Sequence, residues 1–301
     1  MRIGAFEITE PVPRLRDPHA FVVLRPWINV GRVGTLVMAK LEQHFGASDL
    51  GQLASPGTFF DFTRYRPRSY FVKGKRNLRI PNSTLRYAIN EDGPDFLFLH
   101  LREPHAFGED YSESILDVFK TFGVKRHSLI GGMYDVVPHT RPLLVSGSAS
   151  SPEVFEAIKR QGVRSSNYEG PTTITFMVAE EGLKFGIENL TLIVRLPQYA
   201  QLEEDHAGAS RLLEILGDLY NLPSTISRSE KGICQYQELT AAMESNPDVK
   251  TILRQLESHY DEDTMSRESE PLTSLSPEVE KFLEGINLKM EGDDSSISGS
   301  L

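Results

Sequence analysis

The side chains best able to do chemistry stand in one short run, Pro138-His139-Thr140-Arg141-Pro142. An imidazole two residues from a guanidinium sets a proton carrier beside an anion anchor, and the flanking prolines fix φ and bias the residues before them away from helix. The run is a stiff polar rim. Three further sets carry groups that such a rim would work with: Trp27, Asn29, Gly31 and Gly34 in one loop, Glu103 after an apolar run, and Tyr168 with Glu169 beside a Gly-Pro bend. Glu169 is a candidate carboxylate for Arg141, and such a pair is more often a structural clamp than a catalytic couple. With Arg141 so close, His139 reads as a neutral structural histidine unless Glu103 or Glu169 approaches it.

No Ser-His-Asp order, HExxH run or carboxylate pair at metal-ligand spacing is present, so no catalytic residue and no metal ligand is assigned, and no cofactor is expected. Gly31 and Gly34 fall short of the three glycines of a dinucleotide fingerprint, and no Gly-Lys-Ser/Thr follows them. Close helix packing explains them better than phosphate binding. Cys234, the single cysteine, allows neither an internal disulfide nor a cysteine zinc cage.

The elements that must position these residues can be read from apolar patterning. Strand-like runs occupy residues 19–24, 95–101, 124–130 and 190–196, and helix-like segments follow at 33–45, 115–122, 152–159, 172–185 and 207–220. Continuously apolar strands alternating with helices imply parallel crossovers, hence a three-layer α/β sandwich with a mostly parallel central sheet covered on both faces. Ligands of such sheets sit outside the carboxyl ends of the strands. Trp27, Asn29, Glu103, His139 and Arg141 are therefore expected to converge on one rim.

Three regions are expected along the 301 residues: an α/β core over 1–222, a helical arm over 223–262 and a tail over 263–301. The arm holds helices at 227–244 and 247–260, the second with an apolar stripe through Val249, Ile252, Leu253, Leu256 and Tyr260. From Asp261 onward 11 acidic side chains face only Arg267, Lys281 and Lys289, which places −8 of the formal −10 charge there. An acidic, Ser-rich tail is expected to be mostly disordered, with one short amphipathic helix at 277–286 that docks on contact. Residues 64–86 carry eight basic side chains and no acidic one, around Phe71, Tyr70 and a Lys73-Gly74-Lys75 hairpin turn. Alternation favours a core or subunit contact over nucleic acid for this stretch. No apolar run reaches the length of a membrane helix and no signal peptide is apparent, so the cytoplasm is the expected location.

With these residues laid out, the chain resembles the bacterial and archaeal branch of the proteasome assembly chaperone family, in its type-two chaperone domain. The carriers are Arg25-Pro26-Trp27-Ile28-Asn29-Val30-Gly31-Arg32-Val33-Gly34, Arg66-Pro67, Glu103-Pro104, Val137-Pro138-His139-Thr140-Arg141-Pro142, Asn167-Tyr168-Glu169-Gly170-Pro171 and Leu196-Pro197-Gln198-Tyr199, in that order. The resemblance implies a sandwich similar to nucleoside phosphorylases and other phosphorylase/hydrolase-like proteins, a homo-oligomer, and no established catalytic residues. It also implies that assembly-assisting members end in a hydrophobic residue, tyrosine and any residue, whereas this chain ends Gly299-Ser300-Leu301.

Two functions are in contention. One is a non-enzymatic, chaperone-like scaffold that homo-oligomerises and engages a protein partner through its arm or tail. The other is a binder or enzyme for a nucleoside-like or anionic ligand at the His139/Arg141 rim.

Overall fold

Strands too apolar for a one-faced sheet set the architecture. The computed structural model describes residues 1–166, 168–244 and 247–265. The first third of the chain supplies β1 (Arg2–Ile3), β2 (Phe6–Ile8), β3 (His19–Arg25), α1 (Val33–Phe45), β4 (Ser48–Leu53), β5 (Arg68–Val72), β6 (Lys75–Arg79), β7 (Thr84–Ala88) and β8 (Phe96–Arg102). There follow α2 (Gly108–Phe122), β9 (Arg126–Asp135), β10 (Val145–Ala149), α3 (Pro152–Arg160), β11 (Val163–Arg164), α4 (Ile174–Lys184) and β12 (Glu188–Pro197). Three helices then complete the chain as described: α5 (His206–Tyr220), α6 (Glu230–Glu244) and α7 (Pro247–Met265).

One sheet takes the order β1-β2-β4-β7-β8-β3-β9-β12-β10-β11. Its centre, β8-β3-β9-β12, is parallel, and β7 and β10 join it antiparallel on either side. Alternation along β3 shows how both faces are filled. Ala20, Val22 and Leu24 point into a core with Tyr111, Ile115 and Phe119 of α2 and Val178 of α4. Phe21 and Val23 point the other way, against Val37, Met38 and Leu41 of α1 and Leu212 and Leu216 of α5. This is the three-layer α/β sandwich that crossover helices impose on a parallel sheet.

The loop from β3 to α1 lies directly on β9. A Cβ at Gly131 would stand 2.0 Å from the Ile28 carbonyl oxygen, and the Gly132 N–H donates to that same oxygen at 2.9 Å. Glycine is thus required by close approach, and the loop bearing Trp27 and Asn29 is held at the carboxyl ends of β3 and β9.

The β5–β6 hairpin forms a separate two-stranded sheet. Its turn has left-handed backbone at Lys73 (φ 48°) and Gly74 (φ 76°), as a primed hairpin turn demands. Every β5 residue is exposed, with Phe71 at 65% and Leu78 of β6 at 60%. These aromatics therefore lie outside the protomer's own core.

The arm helices start and stop later than apolar periodicity implies. The Gly232 N–H donates to the Ser229 hydroxyl at 3.1 Å, so the cap places the start of α6 at Glu230 rather than Ser227. α7 continues past Tyr260 to Met265, and Asp261 within that extension is tied to the core, as described below. The expected tail helix at 277–286 lies outside the described residues. Among the described residues no helix is long and apolar enough to cross a membrane.

Candidate functional site: a latched rim

His139 is buried at the carboxyl end of β9 and is bonded at three points. Its backbone N–H donates to the Tyr199 hydroxyl oxygen at 2.8 Å, its Nδ1 lies 2.7 Å from that oxygen, and its Nε2 lies 3.0 Å from the Thr240 Oγ1 of α6. The Thr240 hydroxyl donates to the Tyr236 carbonyl at 2.8 Å. Its oxygen is then left to accept, so the proton order is fixed: Tyr199 O–H to Nδ1, and Nε2–H to Thr240. The ring is neutral. Burial pushes its pKa down, against a weaker upward pull from Glu257.

Arg141 is paired through α7, not through Glu169. Its Nε and Nη2 donate to both Asp261 carboxylate oxygens at 2.9 and 2.8 Å, and Nη1 reaches Glu257 at 3.2 Å. Glu257 Oε1 also accepts from the Thr140 hydroxyl at 2.5 Å. The bond to Asp261 is the main cause that raises the Arg141 pKa, and the same bond holds the Asp261 carboxyl below the usual range. Glu169 is exposed. The true partners, Glu257 and Asp261, stand one turn apart on α7, so both carboxylates present one face to the rim. Tyr260 donates to the Pro142 carbonyl at 2.7 Å, and the buried Leu256 packs on Val136 and Tyr199. Together these contacts latch α6 and α7 over the rim.

A second buried group beneath α6 escaped sequence reading. Asp205 caps α5 by accepting the Gly208 N–H at 2.7 Å, and Tyr236 donates to its other oxygen at 2.9 Å. Burial raises the Asp205 pKa. Its signal was available: an Asp immediately before an apolar-periodic helix.

The remaining expected site residues divide between other tasks. Asn29 accepts the Thr35 N–H at 3.1 Å and donates to its Oγ1 at 3.0 Å, closing the start of α1. Gly31 has φ 55°, and its Cβ would meet the Cβ of Asp205 at 2.8 Å; one at Gly34 would meet the Ile130 carbonyl at 2.7 Å. Both glycines serve close packing of the loop and helix. Glu103 Oε1 accepts the Ile174 N–H at 3.0 Å at the start of α4, while Oε2 is buried without a partner and burial raises the pKa. Trp27 is exposed. Tyr168 is exposed too and donates to the Pro171 carbonyl at 3.1 Å. His139 and Arg141 meet under the arm, Asn29, Gly31 and Gly34 meet at the start of α1, and Glu103 stands apart from both.

With the arm docked, both His139 nitrogens and the Arg141 guanidinium are occupied by protein. A groove of about 620 Å³ runs beside them between α5, α6 and Pro142-Leu143, lined by Arg211, Glu214 and Ile233 among others. Among the described residues no cluster of His, Cys, Asp and Glu could hold a metal ion.

Comparison with known proteins places this architecture. A protein of unknown function from Corynebacterium glutamicum superposes with a TM-score of 0.77 at 19% identity, covering 87% of this chain and 99% of its own. A proteasome-assembly chaperone homologue from Mycobacterium tuberculosis gives 0.67 at 20% identity, over 78% and 99%. PbaB of Pyrococcus furiosus, an archaeal proteasome activator, gives 0.57 at 17%, over 84% and 99%. At these identities the likeness is one of fold. No curated protein sequence matches the chain. The PAC2 family model matches residues 23–234, from the end of β3 through the rest of the sheet and the rim to the start of α6, and the chain belongs to the PAC2 family.

Proposed function

We propose that this chain is a chaperone-like PAC2 protein that self-associates through the β5–β6 hairpin and engages a protein partner, with no chemistry of its own. The observation that carries the reading is the hairpin. Tyr70, Phe71, Val72 and Leu78 are exposed on a ribbon that pairs with no other strand among the described residues. A lone two-stranded ribbon is marginal in water and gains stability from a third layer or strand. The fold likeness to a chaperone homologue and a proteasome activator supports the same class of role, and the latched rim supports a protein surface controlled by an arm.

Native mass spectrometry tests it. The full chain is expected to be a defined oligomer, and Phe71→Asp with Leu78→Asp is expected to yield a folded monomer. A monomeric wild type, or an unchanged oligomer in the double variant, overturns the reading. The alternative of a nucleoside-like or anionic ligand at His139 and Arg141 draws no support from the docked arm, which engages both groups itself.

A further inference from the structure

Arg25 and Arg102 end the parallel strands β3 and β8 as register partners. Paired residues of a parallel ladder point to the same face, with strands about 4.8 Å apart. Two guanidinium groups are thereby set side by side at the carboxyl edge of the sheet. The Nε of each is buried without an acceptor. Neither arginine is ion-paired among the described residues: Glu103 Oε1 accepts the Ile174 N–H at 3.0 Å while its Oε2 is without a partner, and Glu204 pairs with Arg32 at 2.7 Å. Desolvation, then repulsion from Arg102 and Arg32, pushes the Arg25 pKa down to about 10. Burial likewise lowers Arg102, with a further push from Arg68.

Such an arrangement costs stability in the free protein, because two like charges lose water and gain no counter-charge. The surroundings hold it in place nonetheless. The Arg102 guanidinium stacks 5.0 Å above the Tyr65 ring, and Tyr65 is anchored by donating to the Glu103 carbonyl at 3.1 Å. Tyr111, whose hydroxyl engages Ser83 Oγ at 2.7 Å, stands beside both arginines.

We propose that Arg25 and Arg102 form a binding site for a phosphate group, carried by inorganic phosphate or by a small phosphate monoester. A carboxylate matches one guanidinium fork, whereas a tetrahedral dianion presents oxygens to two forks on neighbouring strands and balances both charges. The place is apt: open α/β sheets bind ligands just outside the carboxyl ends of their parallel strands. This site is separate from the His139/Arg141 rim and does not depend on self-association.

Isothermal titration of the full chain with inorganic phosphate, and separately with glycerol 3-phosphate, tests the assignment at constant ionic strength in chloride. Saturable binding of one anion per protomer is expected. Arg25→Gln and Arg102→Gln are each expected to weaken it at least about tenfold, and Lys184→Gln on the far α4 surface to leave it unchanged. Tighter binding of the monoester assigns the organic source, and equal or tighter binding of inorganic phosphate assigns the free ion. Should either Arg variant fail to fold, the wild-type thermal midpoint decides: it must rise with phosphate beyond the rise given by chloride. No saturable heat, equal binding by the folded Arg variants, or an Arg25→Gln chain that loses its oligomer while phosphate has no effect overturns the proposal. The last result would mean that an acidic group of a second copy fills the place.

Discussion

At the scale of single residues, Gly31 illustrates what a site residue can be for. It was a candidate anion contact because glycine loops before helices present free N–H groups. In the structure its carbonyl instead accepts the Asp205 N–H at 2.8 Å, and the residue has no room for a side chain. Gly46 supplies an internal control, because its φ of 64° is just as left-handed while nothing lies within 4 Å of an added Cβ. Gly46→Ala should cost about 1 kcal/mol from backbone strain alone. Gly31→Ala should cost at least about 2 kcal/mol, since Asp205 and Leu196 must also shift. Urea unfolding of both variants checks this, and equal losses would mean that the Asp205 contact yields freely. Legibility followed the same line: the spacing of Gly31 and Gly34 was enough to reject a nucleotide fingerprint, but Asp205, 174 positions away, could not be read as the neighbour that demands glycine.

At the scale of elements, the arm is a latch with two kinds of bond. Leu256 and Ile252 supply burial, and Glu257 with Asp261 grip Arg141. Because the Arg141 cluster is partly exposed, its grip should weaken with salt, whereas the Leu256 contact should not. Arg141→Met is therefore expected to speed hydrogen exchange across α7, above all at low salt, while β9 and β12 keep their protection. Leu256→Ala should speed it at every salt concentration, with a local loss of about 2–3 kcal/mol. Exchange unchanged in both would show that α7 is held by α6 alone. The apolar stripe of α7 was legible from its own periodicity. Its polar face was not, because the meaning of Glu257 and Asp261 depends on a rim 116–120 residues earlier, and a carboxylate closer to hand in the sequence, Glu169, was the wrong one.

For the whole molecule, the central strands declared themselves because a doubly covered strand must be apolar on both sides, as β3 and β8 are, while β9 and β12 each carry a shorter apolar stretch. Their order, the antiparallel flanks and the two-residue β1 and β11 carry no such signal; pairing is set by packing between distant segments. That same burial has a titration consequence. His127 and His19 sit at the opposite, amino-terminal ends of β9 and β3, and desolvation lowers each from the ordinary 6.5 to about 4. His139 is lowered as well. A histidine kept neutral in the fold takes its proton more readily when unfolded, so its contribution is intact above pH 6.5 and is lost as pH falls toward its folded pKa. His127, fully buried beside Phe119 with its Nε2 unpartnered, accounts for about 3 kcal/mol of that loss. Glu103 and Asp205 work against it, because their raised pKa values let the folded chain take up protons first. The thermal midpoint should be flat from pH 8 to about 7 and should fall steadily from about 6.5 to 5. His127→Phe, which keeps a ring against Phe119 and cannot titrate, should flatten that slope; a slope unchanged in this variant would move the effect to His19 and to His139 beneath the latch.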